Sequence, residues 1–577
     1  MEPSRPRWDV YPSISPQEAA RISSELAHLD LSPLLVQLLA NREVTELLDI
    51  EGFLKPLAID QYPDPHLMAG VTAAVDRICK AIERRERVVV YGDFDCDGVT
   101  STALLTTALR HFDLEVEPYV PNRVIEGYGL NANAVREIAA RGVSLLITVD
   151  CGISGRSEVA EARKAGLDVI VTDHHHLPAD LPEAAACINP KQKVEGCDCY
   201  HDLAGVGVAY QLVRALVKRC GKPDGLRNLD LLGLVAIGTV ADVVPLKGAN
   251  RSLVMHGLSA LPRHSLPGLR TMLDNAGFKP DRMDTERIGF VIGPRLNAAG
   301  RMDDARIAYQ LLLTADRYEA STLAQQLEAH NRRRQAVMNA IVEDARGRVR
   351  RMDPSVKMIV LSDRNWPSGV VGLVAGRLVE EFGRPAIVIE EGEEESRGSA
   401  RSTPHFNVVE SLTQVKDLLV RFGGHSAAAG FTLKTANIPE LSLRLSQIAD
   451  GQLQEEHLQP TLRAEAELPL TDVHDGTLDG INRLAPFGSG NPSPMFVSMG
   501  VRVLDVSTVG EGGSHLKLAL ANRDDGPAQE IIAMAYRQGY RADAIRRKPR
   551  IDIMYHIERH EWRGNVSIQL RVRDIRV

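Results

Sequence analysis

Between residues 85 and 250 the sequence contains four short, apolar, β-branched runs, and each of them ends on an aspartate. The runs read RVVVYGD, SLLITVD, DVIVTD and LVAIGTVAD, and helical patterns separate them. Continuous apolar runs of this kind are typical of buried parallel strands that are joined by crossover helices. The sequence therefore predicts an α/β fold built on a parallel sheet.

Residues that can bind a ligand follow these runs directly. They are Asp93, Asp95, Asp97, Asp150, Asp173, His174, His175, His176 and Asp242. Because the carboxyl ends of parallel strands lie at one edge of a sheet, where ligands bind, we expect these side chains to converge. One aspartate after a strand is usually a helix cap or a turn residue. Four strand ends that all carry such residues instead indicate a shared site.

So many carboxylates can converge only with raised pKa values or with cations between them, because like charges close together destabilise one another. Cations are the simpler solution. Oxygen ligands with one imidazole suit Mn²⁺ or Mg²⁺ better than Zn²⁺ or copper. The spacing Asp95-x-Asp97 allows two carboxylates to serve neighbouring ions. Two ions about 3.5–4 Å apart would support an in-line phosphoryl displacement.

The remaining parts of the chain show other patterns. Residues 1–80 contain short amphipathic helical pieces, and residues 305–349 hold few helix breakers, which predicts one long helix between two lobes. A second α/β pattern covers residues 355–450. After it, short runs alternate apolar and polar residues, as in a small β-barrel or sandwich.

Net charge at first argues against a polyanion as partner. The chain has 68 basic and 76 acidic residues, a net charge of −8, whereas proteins that bind nucleic acid usually present a basic surface. Residues 541–577, however, contain ten Lys or Arg and five Asp or Glu, a local charge of +5. Charge therefore has to be interpreted by location.

Cysteine usage predicts a protein of a reducing compartment, and hydropathy predicts one that does not span a membrane. Seven cysteines in 577 residues do not suggest a disulfide framework. The Cys197-x-Cys199 pair lacks the four ligands of a zinc site and is interpreted as structural. We find no apolar leader and no window of about 18 apolar residues, and so expect a cytoplasmic protein.

Two sets of motifs resemble a known superfamily. GDFDCDG, TVDCG, TDHHH and GTVADVVPL resemble the successive motifs of the DHH phosphoesterases, which are named for the triplet found here at 173–175. GPRLNAAGRM, WPSGVVGLVAGRL, RGSARS, FGGHSAAAGFTL and LAPFGSGNPSPMF resemble the bacterial RecJ branch of that superfamily. The resemblance keeps its order from about residue 85 to the C-terminus.

The resemblance implies a fold and its boundaries. We expect a two-lobed DHH core with a parallel sheet, a long connecting helix, a DHH-associated α/β domain and a C-terminal OB-fold β-barrel. The expected boundaries are an N-terminal helical extension at 1–80, the catalytic domain at 81–302, the connecting helix at 303–352, the DHH-associated domain at 353–454 and the OB-fold at 455–577.

The resemblance also implies a function. It is that of a 5′–3′ exonuclease specific for single-stranded DNA, which hydrolyses phosphodiesters with two Mn²⁺ or Mg²⁺ ions and releases mononucleotides in recombination and repair. Such a protein would act as a monomer on single strands with a 5′ end, beside a single-strand-binding protein and recombination helicases. Two alternatives remain. One is a DHH hydrolase of small substrates, and the other is a non-catalytic scaffold like the DHH-like subunit of the eukaryotic replicative helicase.

Roles carried over from the superfamily fall on matching residues. The metal ligands would be Asp93, Asp95, Asp97, Asp150, His174 and Asp242. Among the catalytic residues, Asp150 would bridge the ions, His175 would touch the scissile phosphate, and Asp173 would fix the histidine tautomer.

Contacts to DNA would come from several motifs. Gly424 and His425 of the GGH element would face the metals, and Arg401 and Ser402 would add phosphate contacts. The remaining candidates are Arg123, Arg301 and Arg334 for the terminal phosphate, and Arg295 and Asn297 for either nucleic acid or the joining of the lobes. Trp562 and Tyr555 are candidates for stacking on bases from the OB-fold, although a lone aromatic residue on a β-barrel is more often part of the core.

Overall fold

The structure is a computed structural model that describes residues 5–55, 57–122, 126–127, 129–263, 266–278, 283–302, 305–521, 530–562 and 565–577. Within these residues the chain forms two lobes, a C-terminal β-barrel and an N-terminal segment that packs on the barrel.

The first lobe is built on a parallel sheet whose strand order is β3-β2-β4-β5-β6. Its strands are β2 (Arg87–Gly92), β3 (Glu115–Tyr119), β4 (Leu145–Val149), β5 (Asp168–Thr172) and β6 (Ala186–Ile188). Alternate residues along β2 enter the two apolar layers, with Val88 and Val90 on one face and Val89 and Tyr91 on the other. Helices cover both faces, and the predicted α/β fold is confirmed.

The helices of this lobe precede, connect and follow the strands. They are α4 (Val71–Arg84), α5 (Cys96–His111), α6 (Ala132–Ala140), α7 (Arg156–Lys164), α8 (Gly205–Cys220), α9 (Asn228–Ala241), α10 (Gly248–Ala260), α11 (Pro267–Asn275), α12 (Thr285–Arg287), α13 (Gly293–Met302) and α14 (Arg306–Leu313). Within the described residues, no helix is both long and apolar enough to cross a bilayer.

One predicted strand is wrong. The runs RVVVYGD, SLLITVD and DVIVTD form strands, but LVAIGTVAD lies in α9, and Asp242 is the C-cap of that helix. Residues 231–239 of α9 are buried on all sides. A helix that is buried all round shows no polar face, so its periodicity cannot be distinguished from that of a buried strand.

The predicted single helix at 303–352 is divided. The last helix of the first lobe, α14, ends at Leu313, and α15 (Arg317–Arg350) begins after the N-cap Asp316, whose carboxylate accepts the Glu319 amide at 2.8 Å. At 1.5 Å per residue, its 34 residues span roughly 50 Å. Residues 320–327 pack in the core of the first lobe and 341–349 in that of the second, so α15 joins them.

The second lobe contains a mixed sheet with the order β10-β11-β9-β8-β7. Its strands are β7 (Ile359–Asp363), β8 (Ala386–Glu390), β9 (Glu395–Arg401), β10 (Leu419–His425) and β11 (Ala428–Lys434). Only the β7–β8 pair is parallel. The helices are α16 (Ser368–Phe382), α17 (Val408–Gln414) and α18 (Ile438–Gln452).

The C-terminal strands close into a barrel, which confirms the expected OB-fold. They are β13 (Ala466–Glu467), β14 (Phe496–Val509), β15 (His515–Ala521), β16 (Glu530–Ala535), β17 (Arg550–Trp562) and β18 (Asn565–Arg576), with α19 (Asp475–Asn482) and α20 (Ala542–Arg546). The sheet order is β13-β14-β15-β16-β18-β17, and the additional β14–β17 pairing closes the ring.

Tyr555 does not lie on a DNA-binding surface. Its ring is fully buried in the barrel, and its hydroxyl lies 2.9 Å from the Ser498 hydroxyl, so the stacking role predicted for it is wrong. An aromatic ring at an inward position of a strand packs in the core whatever the barrel binds. The side chain of Trp562 lies outside the described residues.

The N-terminal segment is part of the barrel's core. Strand β1 (Arg7–Val10) pairs in parallel with β12 (Thr461–Ala464), and α1 (Pro16–Glu25), α2 (Pro33–Ala40) and α3 (Leu47–Leu54) pack on the barrel. The buried guanidinium of Arg42 forms an ion pair of 3.0 Å with Glu465, donates to the Asn491 amide oxygen at 2.8 Å and to the Pro492 carbonyl at 2.8 Å.

We expect Arg42→Met to lower the free energy of unfolding of the C-terminal barrel and its packed N-terminal segment by about 3–5 kcal/mol, because Glu465 would remain buried without its cation. Chemical denaturation measures the loss. Arg463→Met is the matched control, since Arg463 makes an exposed ion pair with Asp9, worth about 1 kcal/mol or less. Equal losses in the two variants would contradict the role given to Arg42.

Candidate metal centre and cleft

The carboxylates after β2 are held by the turn that begins α5. The N-cap Asp95 accepts the amides of Asp97 at 3.0 Å and Gly98 at 3.1 Å through one oxygen. The Cys96 amide donates to the Asn297 side chain at 2.7 Å, which fixes the same turn from α13. Asp93 is buried directly before it. The turn therefore aims several carboxylates at one edge of the sheet.

Asp97 lies against the N-terminus of α8. Its carboxylate accepts the Gly205 amide at 2.7 Å and the Val206 amide at 2.9 Å, an arrangement that favours negative charge. A Cβ at Gly205 would lie 2.7 Å from the Asp150 carboxylate, so this close approach needs a glycine. Burial, and next the charge of Asp95, still raise the pKa of Asp97 to about 7.

Asp150 follows β4 in a left-handed conformation with φ +60°, which is uncommon for an aspartate and is often found at functional sites. Its Oδ1 lies 3.1 Å from His174 Nε2. Neither of these buried atoms has a hydrogen-bond partner among the described residues. A buried polar atom without a partner costs free energy, so this pair of atoms suits a cation.

Asp242 reaches the same point from the end of α9. Its Oδ2 lies 3.5 Å from His174 Nε2, and an Asp97 oxygen lies 3.8 Å from that nitrogen. Burial, and next the charge of Asp97, raise the pKa of Asp242 to about 9. Burial, and next Asp97, also raise the pKa of Asp150 well above its usual value. The carboxylates cannot all ionise together unless cations neutralise them.

His174 presents a neutral imidazole to these carboxylates. Burial, and next the neighbouring His175, lower its pKa to about 3. Metal ligation needs this unprotonated form.

Three overlapping groups have ligand atoms within 4.8 Å of one another: Asp93, Asp95 and Asp150; Asp150, His174 and His175; and Asp97, His174 and Asp242. Asp150 and His174 each belong to two groups. Carboxylate oxygens with imidazole nitrogens suit Mn²⁺ or Mg²⁺, and the orphaned atoms of Asp150 and His174 fit that chemistry.

Asp173 binds the segment His174–His176, which we call the histidine loop, rather than joining the cluster. Its Oδ1 accepts the amides of His174 at 2.7 Å and His175 at 3.0 Å, and it lies 2.7 Å from His175 Nδ1. Its Oδ2 accepts the Ile153 amide at 2.9 Å. Burial acts to raise the pKa of Asp173, but the contacts with His175 and the backbone amides outweigh it and lower the pKa. An ionised Asp173 thus orients the His175 ring.

Two residues that were missed from the sequence follow β6. Asn189 donates to the His175 carbonyl at 2.9 Å and accepts the Lys191 amide at 2.9 Å. The Lys191 ammonium donates to the His174 carbonyl, and burial lowers the pKa of Lys191. The signal was the turn Asn-Pro-Lys directly after the short apolar run ACI, whose end lies at the same edge of the sheet.

The second lobe meets the first beside the cluster. His425 ends β10, and its ring centroid lies 4.8 Å from that of His176. Gly424 has φ +145°, and a Cβ there would lie 2.3 Å from the Ala428 carbonyl oxygen, so the turn needs a glycine. The GGH hairpin of the second lobe therefore lies beside the histidines of the metal cluster, and we call the space between the two lobes at this point the cleft.

Two other predicted DNA contacts, Arg301 and Arg401, lie beside the first turns of α16. An Arg301 Nη lies 3.5 Å from the Gly369 carbonyl of α16. Arg401, at the end of β9, donates to the Ser399 hydroxyl at 3.1 Å and the Ala400 carbonyl at 2.8 Å. The Ser402 hydroxyl donates to the Phe406 carbonyl at 2.5 Å, within its own loop.

The remaining candidates have partners within the protein or lie outside the described residues. Arg295 forms an ion pair of 2.8 Å with Glu328 of α15, which joins α13 to the long helix. Arg334 is buried and donates to the Asn331 amide oxygen at 2.9 Å; burial, and next the charge of Arg295, lower its pKa. Arg123 lies outside the described residues.

Family models match three parts of the chain. The model described as the DHH family, N-terminal domain, matches residues 87–239, the DHHA1 domain matches 355–450, and the RecJ OB domain matches 464–574.

Relatives and solved structures agree with these matches. The single-stranded-DNA-specific exonuclease RecJ of Bacillus subtilis is 37% identical over 100% of this chain and 72% of its own length. The protein of the same name from Dickeya dadantii is 36% identical over 94% of this chain and 96% of its own length. The crystal structure of RecJ in complex with Mn²⁺ from Thermus thermophilus matches 99% of this chain and 80% of its own, with a TM-score of 0.84 at 30% identity. The chain therefore belongs to the RecJ family.

Proposed function

We propose that this protein is a metal-dependent exonuclease that removes mononucleotides from the 5′ end of single-stranded DNA. One observation supports this function above all: a buried cluster of carboxylates and a neutral imidazole lies at the edge of the first sheet, and His425 of the second lobe lies beside it. The relatives named single-stranded-DNA-specific exonuclease RecJ support the substrate.

The cluster supports two ion sites that share Asp150. When bound, Mn²⁺ or Mg²⁺ ions lower the pKa of a coordinated water and neutralise charge on the attacking and leaving oxygens of a phosphodiester. We assign their ligands to Asp93, Asp95, Asp97, Asp150, His174 and Asp242. The Asp150 side chain, fixed by its left-handed backbone and by the close packing of Gly205, is the member best placed to bridge.

His175 is the candidate for contact with the scissile phosphate. Its Nδ1 lies 2.7 Å from the ionised Asp173, which makes Nδ1 the protonated nitrogen of a neutral ring. Burial acts to lower the pKa of His175, but the contact with Asp173 outweighs it and raises the pKa. A ring that gains a second proton more readily can also donate a hydrogen bond to a phosphate oxygen.

The junction of the lobes supports recognition of a 5′ terminus. Arg301 of the first lobe and Arg401 of the second both lie beside the first turns of α16, and arginine matches the geometry of a phosphate. Gly424 allows backbone to approach the strand closely. The His176 and His425 rings bring the two lobes together beside the cluster, and this close approach favours a single strand over the wider duplex. The RecJ resemblance further supports work in recombination and repair, where helicases and a single-strand-binding protein would present the substrate.

Strand polarity tests the function directly. We expect single strands labelled at the 5′ end to release labelled mononucleotide at once in Mn²⁺, whereas strands labelled at the 3′ end shorten progressively and duplexes are spared. Strands with a 5′ phosphate should be preferred to those with a 5′ hydroxyl. Gel analysis of the products measures both. Release from the 3′ end first, or equal cleavage of duplex, would contradict the proposal.

Asp150→Ala should lower nucleotide release by roughly 10²–10³-fold or more, as loss of a transition-state contact does, while single-strand binding is retained. A second measurement needs no substrate: Mn²⁺ should raise the melting temperature of the native protein but not of the variant. Asp180→Ala, which removes an exposed carboxylate of the same lobe, is the control. A variant that kept both activity and Mn²⁺ stabilisation would exclude Asp150 as a ligand.

Lys191→Met should act through the histidine loop, because its ammonium holds the His174 carbonyl. We expect the Mn²⁺ concentration for half-maximal activity to rise roughly 10–100-fold, as when other supports of metal ligands are lost. Titration of activity with Mn²⁺ measures this shift, and excess Mn²⁺ should restore much of the rate. The exposed Lys193 provides the control Lys193→Met; equal behaviour of the two variants would show that Lys191 has no such role.

A further inference from the structure

We propose that Cys79 and Cys220 form an oxidisable dithiol pair, which a hydroperoxide converts to an intramolecular disulfide within the first lobe. The two sulfur atoms lie 3.1 Å apart, although 141 positions separate the residues in the sequence. A disulfide bond is about 2.05 Å long, so small side-chain rotations suffice to close it. Neither residue belongs to the metal cluster or to the cleft.

Exposure distinguishes Cys220 from the other cysteines, and the short distance to Cys220 distinguishes Cys79. Cys220 is the last residue of α8 and is exposed, and Cys79 on α4 is partly exposed. Cys96 and Cys151 beside the metal cluster are fully enclosed, and burial raises the pKa of both thiols well above the usual value. A dissolved peroxide therefore reaches Cys220 first.

Oxidation of the pair by the hydroperoxide proceeds in two steps. The Cys220 sulfur attacks the hydroperoxide, the O–O bond breaks, and Cys220 becomes a sulfenic acid while one alcohol or water leaves. The Cys79 sulfur then attacks the Cys220 sulfur, the S–O bond breaks, and water leaves as the disulfide forms. Burial, and next the proximity of Cys220, raise the pKa of Cys79 to about 12, which disfavours its attack on the peroxide. Its sulfur lies 3.1 Å from that of Cys220, and this proximity favours the second, intramolecular step.

The disulfide would secure the helix that holds a metal-site carboxylate. The N-terminal amides of α8 bind Asp97 at 2.7 and 2.9 Å, and Cys220 lies at the opposite end of that helix. A bond from Cys220 to α4 closes a long loop and so constrains the unfolded chain. Oxidation should stabilise this lobe without altering the cleft, and this consequence does not depend on the proposed nuclease function.

To test this proposal, the 577-residue chain is treated with hydrogen peroxide. The remaining thiols are then blocked with N-ethylmaleimide, and the peptides are mapped by mass spectrometry. We expect two of the seven thiols to be lost, a peptide that links Cys79 to Cys220, a mass lower by two hydrogens, and a melting temperature higher by roughly 5 °C or more. Dithiothreitol should reverse all four changes.

Variants make the assignment specific. Cys220→Ser should abolish the thiol loss, whereas Cys79→Ser should accumulate a sulfenic acid on Cys220 that dimedone traps. Cys199→Ser, which removes a partly buried thiol elsewhere in the lobe, should behave like the native protein. The pair is refuted if peroxide links other cysteines, or if Cys220 is oxidised to sulfinic acid while Cys79 stays free to react with N-ethylmaleimide.

Discussion

The structure of the first lobe depends on the cost of bringing buried carboxylates together. Asp97, Asp150 and Asp242 surround one imidazole nitrogen at 3.1–3.8 Å, and without cations burial and mutual repulsion drive their pKa values upward. The fold offsets part of this cost with the amides at the N-terminus of α8. Divalent cations would offset the rest, so the arrangement suits a metal site.

Backbone contacts keep the histidine loop in place for this site. Asp173 accepts two loop amides, while Asn189 and Lys191 hold two loop carbonyls from the neighbouring strand end. These three side chains fix the main chain of the loop, so that His174 and His175 are already oriented before a metal or substrate binds. Such preorganisation lowers the ordering cost of metal and substrate binding. The sheet edge thus contributes five strand or helix ends to one site, one more than the apolar runs suggested.

Charge in the C-terminal barrel shows why sequence counts mislead. The excess of basic residues at 541–577 suggests a strand-binding surface, but several of these arginines are already engaged. The ion pairs are Arg541–Asp574, Arg546–Asp543, Arg559–Asp479 and Arg571–Glu286. Two of the acidic partners, Asp479 and Glu286, lie outside residues 541–577, and Glu286 belongs to the first lobe. Part of the positive charge of this stretch is therefore neutralised by acidic residues of the protein itself and is not free to bind DNA.

The sequence by itself determined the parallel sheet, the acidic strand ends, the ligand types and the RecJ resemblance, because these depend on local apolar runs and on motifs contiguous in the chain. It misassigned α9, which is apolar on every side, overlooked the capped break before α15, and left open whether Tyr555 stacks on a base or packs in the core. Only the tertiary structure decided that Asp242 arrives from a helix end, that Lys191 holds the histidine loop, and that Cys79 meets Cys220. These contacts join residues distant in the chain, and their geometry follows from how buried helices pack on the sheet, which no local pattern records.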